Sequence, residues 1–193
     1  MKKTCIVFSI FCLSMAYIFF LLWQLDPSIS GENHLMENLQ VVCLFLSLFF
    51  ILKRFSQERV WNLSFSFLFL SFLTIFLREV DLRPFSLPRF GILLSTKGRN
   101  ITLALGWALF IYSLAGNLKT SLKDFTALGR KATGGYFILG CLFYCLAWPF
   151  DEGIFGMTKA MNSFFEELSE NIGTLSFAVS AFFFYRDRTP RLK

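Results

Sequence analysis

Nine charged side chains near the ends of apolar stretches carry the chemistry that this sequence could perform. They are Glu37, Arg78, Glu79, Asp81, Asp151, Glu152, Glu166, Glu167 and Glu170. Carboxylate oxygens bind cationic groups, and they suit Mg²⁺, Ca²⁺ or Mn²⁺ better than zinc. A carboxylate can also act as a general base while an arginine holds an anion. These residues form the candidate ligand-binding set, and no catalytic residue stands out among them.

Glu166, Glu167 and Glu170 are the most closely spaced acids of this set. On a helix they share a face, because residues three and four positions apart are neighbours. Like charges so placed repel one another, and partial burial adds to the cost, so a compensating group is expected. Arg78, another outer base, a bound divalent cation or proton uptake would each serve. The three glutamates are therefore the candidate metal ligands, and a divalent cation is the one cofactor that the sequence suggests.

Helix ends offer a second explanation for the acids. Acidic residues in the first turn of a helix interact favourably with its dipole, which would account for Glu37, Glu166 and Glu167 without any ligand. The same explanation fails for Glu79, Asp81 and Asp151, because each follows the C-terminal end of a predicted helix. Both interpretations stay open on the sequence.

The elements that must position these acids are predicted from the order of the charges. Apolar stretches separate seven polar segments, and alternate segments hold 13 of the 19 Lys and Arg residues against only three acids. Short loops rich in Lys and Arg are retained on the cytoplasmic side of a membrane. Hydrophobic residues make up 55% of the chain and charged residues 17%, below the usual quarter of a soluble domain. The sequence therefore predicts an all-α polytopic membrane bundle with both termini cytoplasmic.

Six stretches are long enough to approach the roughly 20 residues that a membrane-spanning helix needs. We expect one transmembrane domain over residues 1–193 with helices at about 4–24, 35–52, 60–77, 100–116, 134–150 and 164–185. The longest outer connection, Arg78 to Arg99, contains Pro84 and Pro88 and is expected to rest on the membrane interface. The short Met1-Lys2-Lys3 start and the compact size favour a bacterial inner (plasma) membrane.

Residue supply excludes several classes of function. His34 is the only histidine, which excludes haem held by paired histidines and zinc sites built from several histidines. The five cysteines fall inside predicted spans without a Cys-x-x-Cys spacing, so inert thiols are expected. The net charge of +6 is divided among short segments without a recognition motif, so no nucleic-acid partner is expected.

The acid-bearing segments resemble those of one group of proteins. Leu77–Leu82 reads L-R-E-V-D-L, and Phe165–Glu170 reads F-E-E-L-S-E. With Glu37, these runs are similar to the R-E-x-D and E-E-x-x-E motifs of uncharacterised bacterial six-helix inner-membrane proteins. The resemblance covers most of the chain from Glu37 onward, although Arg83 stands where that group commonly has His. It implies a six-helix fold and points to the acids, but it implies no activity.

Three hypotheses about function follow. In the first, the outer acids form a polar pocket that binds a cation, a cationic ligand or a lipid headgroup for transport or partner recognition. In the second, they hold a metal that activates water or a lipid phosphate, which would make the protein a membrane enzyme. In the third, the protein is a helper or immunity-type subunit bound to another membrane protein. The expected partners are the lipid bilayer and, in the third hypothesis, a second membrane protein.

Overall fold

Every regular element in the described part of the chain is helical. The computed structural model describes residues 2–31, 34–58, 63–80, 96–116 and 118–187. Its seven α-helices are α1 (Lys2–Leu25), α2 (Leu35–Glu58), α3 (Leu63–Glu79), α4 (Thr96–Gly116), α5 (Leu118–Gly129), α6 (Ala132–Asp151) and α7 (Lys159–Arg186). A short 3₁₀ turn, Pro27–Ser30, connects α1 to α2. The all-α prediction is confirmed for these residues.

Three helices are long and apolar enough to cross a membrane, namely α1, α2 and α6. A fourth crossing is available if α4 and α5, whose directions differ by 109°, together make one broken span. Helix α3 has 17 residues, so it would cover only about 26 Å at 1.5 Å per residue, short of the roughly 30 Å of hydrocarbon. Helix α7 carries three glutamates in its first half. The chain is thus a membrane protein with three to four candidate spans.

Helix α5 occupies a segment that the charge pattern predicts to be a cytoplasmic loop. Its apolar side chains recur at Leu118, Leu122, Phe125 and Leu128, which is the period of a helix with one apolar face. Phe125 packs against Phe67 of α3, with ring centroids 5.3 Å apart. The charges Lys119, Lys123 and Asp124 obscure this period in the sequence, and the contact with α3 fixes the helix.

Helix α7 lies at the centre of the fold, because it packs along both α6 and α2. Two glycines let α6 and α7 approach closely. A Cβ added at Gly140 of α6 would overlap the Phe177 ring, and one at Gly173 of α7 would lie 2.8 Å from Tyr144 Cδ2. Small residues at helix contacts are the usual route to close packing in membranes. The helices α6 and α7 are therefore packed closely against each other.

The apolar core lies between α2, α3 and α7. Its fully or nearly buried residues are Leu44, Leu48, Ile51, Phe65, Leu68, Phe72, Phe177, Ala181 and Phe184. Helix α1 packs differently, since only 6% of its apolar window is buried within the protein. Lipid can cover such a helix on every side.

The turn between α1 and α2 is fixed at the same end of the bundle as the candidate acids. Ser163 Oγ of α7 donates a hydrogen bond to the Ser30 carbonyl at 2.7 Å. Asp26 precedes the 3₁₀ turn and accepts the Ser28 N–H at 2.9 Å. Hydrogen bonding from Ser28 lowers the pKa of Asp26 below its ordinary value of 3.8. The connection is thereby anchored to the N-terminal part of α7.

Candidate functional site

Arg78, at the end of α3, joins two nearly buried carboxylates. Its Nε donates to Glu79 Oε1 at 2.7 Å, and its terminal nitrogen donates to Glu170 Oε1 of α7 at 2.5 Å. The side chains of Glu79 and Glu170 are 9% and 10% exposed, whereas that of Arg78 is 58% exposed. The guanidinium also lies 5.3 Å from the ring centroid of Tyr144 on α6. Arg78 of α3 thus contacts residues of α6 and α7, and it pairs with two carboxylates.

Glu167 accepts a hydrogen bond from a residue of α2. Gln40 is fully buried, and its Nε2 donates to Glu167 Oε2 at 2.6 Å. Asn171 Nδ2 donates to the Met36 carbonyl at 3.0 Å and to the Glu167 carbonyl at 2.8 Å. Amides within apolar helices frequently make such bonds between neighbours. Gln40 and Asn171 are functional candidates that the focus on charge missed, and their signal was an amide inside an apolar stretch.

The carboxylates of α7 lie close to those of other helices. Glu37, Glu79, Glu166 and Glu170 are all within electrostatic range of Glu167. Asp151, at the end of α6, is within range of Glu166. We call Glu37, Arg78, Glu79, Glu166, Glu167 and Glu170 the acidic cluster. Its members come from α2, α3 and α7, so residues far apart in sequence share one end of the bundle.

The local charge of the acidic cluster is unbalanced. Glu79 and Glu170 share the single base Arg78. Glu166 and Glu167 are half-buried, and neither has an ion-pair partner among the residues that the structure describes. The five carboxylates of the cluster against its one guanidinium give a formal charge of −4 when all are ionised. Repulsion and desolvation together favour proton uptake or a compensating positive charge at this place.

Two buried polar atoms beside the acidic cluster have no hydrogen-bond partner within the part of the chain that the structure describes. They are the hydroxyl of Tyr144 and Oε1 of Gln40. Tyr144 is within electrostatic range of Glu79 and Glu170, and Gln40 contacts Glu167 directly. An unsatisfied buried polar group costs about 1–3 kcal/mol, and water or a ligand is the ordinary explanation for one. Both atoms would therefore gain a partner if a water or a ligand bound beside them.

The position of the α7 glutamates removes one explanation for them. The apolar pattern predicts that this helix starts near Phe164, but α7 begins at Lys159 with Thr158 as its N-cap. The Thr158 hydroxyl accepts the Met161 N–H at 3.4 Å. No acid stands in the first turn of α7, whereas Glu37 does stand in the first turn of α2. The helix dipole therefore accounts for Glu37 but not for the α7 acids.

The remaining candidates are placed apart or lie outside the description. Glu152 is exposed in the turn after α6, and no described contact joins it to the acidic cluster. Asp151 is exposed, and its described link to the cluster is an electrostatic interaction with Glu166. Asp81 lies outside the described residues, as does most of the connection from Arg78 to Arg99. The interfacial packing of that connection stays a prediction.

The geometry gives the metal-ion hypothesis no support. Within residues 2–31, 34–58, 63–80, 96–116 and 118–187, no group of three or more His, Cys, Asp or Glu side chains is arranged to hold a metal ion. Glu170 already accepts from Arg78, and Glu167 accepts from Gln40. The suggested site at Glu166, Glu167 and Glu170 therefore stays a prediction.

Comparisons with known proteins do not add to these observations. No protein-family model, no curated protein and no solved structure matches this chain.

Proposed function

We propose that this membrane protein binds a positively charged group, an ammonium in particular, at the acidic cluster. In this proposal the chain crosses an inner (plasma) membrane six times through α1, α2, α3, α4, α6 and α7. Both termini are cytoplasmic, and α5 lies along the cytoplasmic interface. The alternation of basic segments supports this orientation, which places the acidic cluster near the extracytoplasmic surface. Binding there would serve transport or the recognition of a partner.

The observation that carries the proposal is the pair of half-buried carboxylates without a base, Glu166 and Glu167. They adjoin Glu170, which shares the base Arg78 with Glu79. Acceptors dominate the free hydrogen-bonding capacity: the two carboxylates and Gln40 Oε1 accept, and only the Tyr144 hydroxyl can also donate. A bound cation would neutralise the excess charge and satisfy these acceptors together.

The charges and hydrogen-bonding groups of the acidic cluster distinguish among the ligands that the sequence leaves open. A lipid phosphate would need free bases, but Arg78 is engaged by two carboxylates. A divalent metal would need three or more suitably arranged ligands, which the described residues do not provide. An ammonium carries three N–H donors and needs no fixed coordination geometry. The ligand is therefore a cationic molecule or a headgroup that bears an amine, rather than a phosphate alone.

Thermal unfolding of the detergent-purified protein with added spermidine tests the proposal. A ligand that binds only the native state stabilises it by about 2.7 kcal/mol at a hundredfold excess over Kd. We expect spermidine to raise the Tm of the wild type and to do so less for Glu166→Gln and Glu167→Gln. Glu152→Gln is the matched control, because it removes an exposed carboxylate near the same end of α6 and should leave the shift unchanged.

Two further additives refine the outcome. Choline cannot donate hydrogen bonds, so a smaller shift is expected from it than from spermidine. Mg²⁺ at equal ionic strength should give a shift that the glutamate replacements do not alter. If spermidine gives no shift, or if the double variant Glu166→Gln/Glu167→Gln retains the full shift, the cation-binding proposal is refuted.

The six-span arrangement has its own test. Fusing a reporter that is active only in the cytoplasm to either end of the chain should give activity at both ends. The same reporter inserted after Glu152 should be inactive, because this turn follows α6 on the outer side in the proposal. An active reporter after Glu152 would reverse the orientation and place the acidic cluster at the cytoplasmic face.

A further inference from the structure

A second site lies at the other end of the α6–α7 pair, away from the acidic cluster. A cavity of about 290 Å³ opens there between the first turns of α1 and α6 and the last turns of α7. Apolar groups line most of it, among them Leu139 of α6 and Phe183 of α7, with Gly135 providing open space. Its volume is close to the lower end of ligand cavities, which hold about 300–1,000 Å³. An apolar cavity of this size accepts part of an alkyl chain, and we call it the slot.

Tyr136 lines this slot with a side chain that carries one polar atom. Its side chain lines the cavity and is only 7% exposed. Its ring packs between Phe8 and Phe183, with centroid distances of 5.0 and 5.6 Å. The buried hydroxyl lies beside Cys5, whose sulfur is only a weak hydrogen-bond acceptor, and it meets no oxygen or nitrogen partner among the residues that the structure describes. An acceptor on a ligand, such as a carbonyl oxygen, would give this hydroxyl a stronger hydrogen bond.

Basic side chains surround the mouth of the slot. An adjoining cavity of about 420 Å³ shares Ala132 and Phe183 with the slot and is lined by Lys131, Arg186 and Asp187. Lys131 Nζ pairs with Asp187 Oδ2 at 2.7 Å. Arg186 has no ion-pair partner among the described residues, so its charge is available to an anion. Apolar depth, a buried donor and a basic mouth thus follow one another along α6.

We propose that this site binds an anionic phospholipid, with one acyl chain in the slot, an ester carbonyl on Tyr136 and the phosphate at Arg186 and Lys131. The order of the three features matches the order of groups along a phospholipid. Tyr136 lies five residues beyond Lys131, or about 7.5 Å deeper along the helix axis. Basic pockets between helices on the cytoplasmic side are known to attract anionic headgroups. A free phosphate ion could contact the bases, but it has no acyl chain to fill the slot.

The site is separate from the proposed cation site. Phe183 follows Glu170 by 13 residues on α7, which is about 20 Å along the helix. Replacing the α7 glutamates should therefore leave lipid binding unchanged, and failure of the cation-binding proposal leaves the lipid site standing.

Photo-crosslinking of the detergent-purified full chain tests the proposal. The probe is phosphatidylglycerol with a diazirine near the middle of one acyl chain, and crosslinked residues are mapped by peptide mass spectrometry. We expect crosslinks to concentrate on residues lining the slot, including Leu139 and Phe183. Unlabelled phosphatidylglycerol should compete more effectively than phosphatidylcholine, by roughly fivefold to thirtyfold if one or both bases contribute as surface bases do. Glycerol phosphate, which has no chain, should not compete.

Variants assign the effect to each feature. Arg186→Gln should weaken competition by phosphatidylglycerol about fivefold, and Tyr136→Phe should weaken it by a similar factor through loss of one hydrogen bond. Gly135→Leu should reduce crosslinking by filling the slot, since its Cβ meets open space. Arg130→Gln is the matched control, because Arg130 is exposed beside Lys131 and lines neither cavity.

Three results would overturn the proposal. Crosslinks spread evenly over the lipid-facing sides of α1, α4 and α6 would show a surrounding lipid layer rather than a site. Equal competition by phosphatidylglycerol and phosphatidylcholine would remove the role of the basic mouth. Equal competition by glycerol phosphate would show an anion site without a chain slot. If Gly135→Leu does not fold, Tyr136→Phe decides, because it removes a single oxygen atom.

Discussion

Replacement of Arg78 by glutamine should destabilise the protein more than replacement of its partner Glu170. Without Arg78, Glu79 and Glu170 remain at 9% and 10% exposure with no cation between them. Removing one partner of a buried ion pair costs about 3–5 kcal/mol, and water around the 58% exposed Arg78 places the value near 3 kcal/mol. Glu170→Gln leaves Arg78 paired with Glu79 and in water, so about 1 kcal/mol is expected.

The double variant Arg78→Gln/Glu170→Gln separates this pair from general damage. It removes one of the two uncompensated carboxylates, so its loss should be about 1.5 kcal/mol smaller than the sum of the single losses. The free energies of unfolding are measured by far-UV circular dichroism during titration with SDS in mixed micelles. Each variant is compared with the wild type under one lipid and salt condition.

A control cycle on Lys131 and Asp187 uses an ion pair of similar length in a different environment. These side chains are 48% and 45% exposed, so their coupling should stay below about 1 kcal/mol. If the coupling between Arg78 and Glu170 is no larger than that of the control pair, Arg78 does not stabilise buried carboxylates. The account of the acidic cluster would then lose its structural basis.

Other replacements test the packing within the bundle. Gly140→Ala should destabilise the protein despite the better helix propensity of alanine, because its Cβ would overlap Phe177, whereas Gly135→Ala meets open space and should be neutral or stabilising by up to about 1 kcal/mol. Thermal unfolding compares the two; equal effects would contradict the close α6–α7 contact. Trp107→Phe should cost about 1 kcal/mol through loss of the 3.0 Å hydrogen bond to Thr74 Oγ1. The same replacement in a Thr74→Val background should cost less, and an unchanged cost would refute the bond.

The sequence was a good guide to which segments are helical. Each of the six apolar stretches lies largely within a helix of the structure, because apolar length and period are local properties of the chain. Helix α5 was missed, since its charges resemble those of a cytoplasmic loop and its apolar face is satisfied by Phe67 of α3. The number of crossings stays a prediction beyond the three to four candidate spans, because α3 is short and α7 is acidic.

The sequence indicated which charged residues are unusual but not how they pair. Acids at the ends of apolar stretches are visible from spacing alone, since their cost near a membrane depends on depth. Arg78 donates hydrogen bonds to Glu79 and Glu170, and the bond to Glu170 joins α3 to α7 across 92 residues. Gln40 likewise reaches Glu167 across 127 residues. Such pairing depends on helix packing, which no local pattern encodes.

By itself, the sequence determined the membrane class, the helical content and the end of the bundle at which acids would gather, because hydrophobicity and charge order act on the chain before it packs. The tertiary structure alone decided which acids share a base, which polar atoms lack a partner and where the apolar slot opens. Gly140 and Gly173 set these relations by letting α6 and α7 meet closely. Since that contact depends on the shapes of both helices, it became visible only in the folded protein.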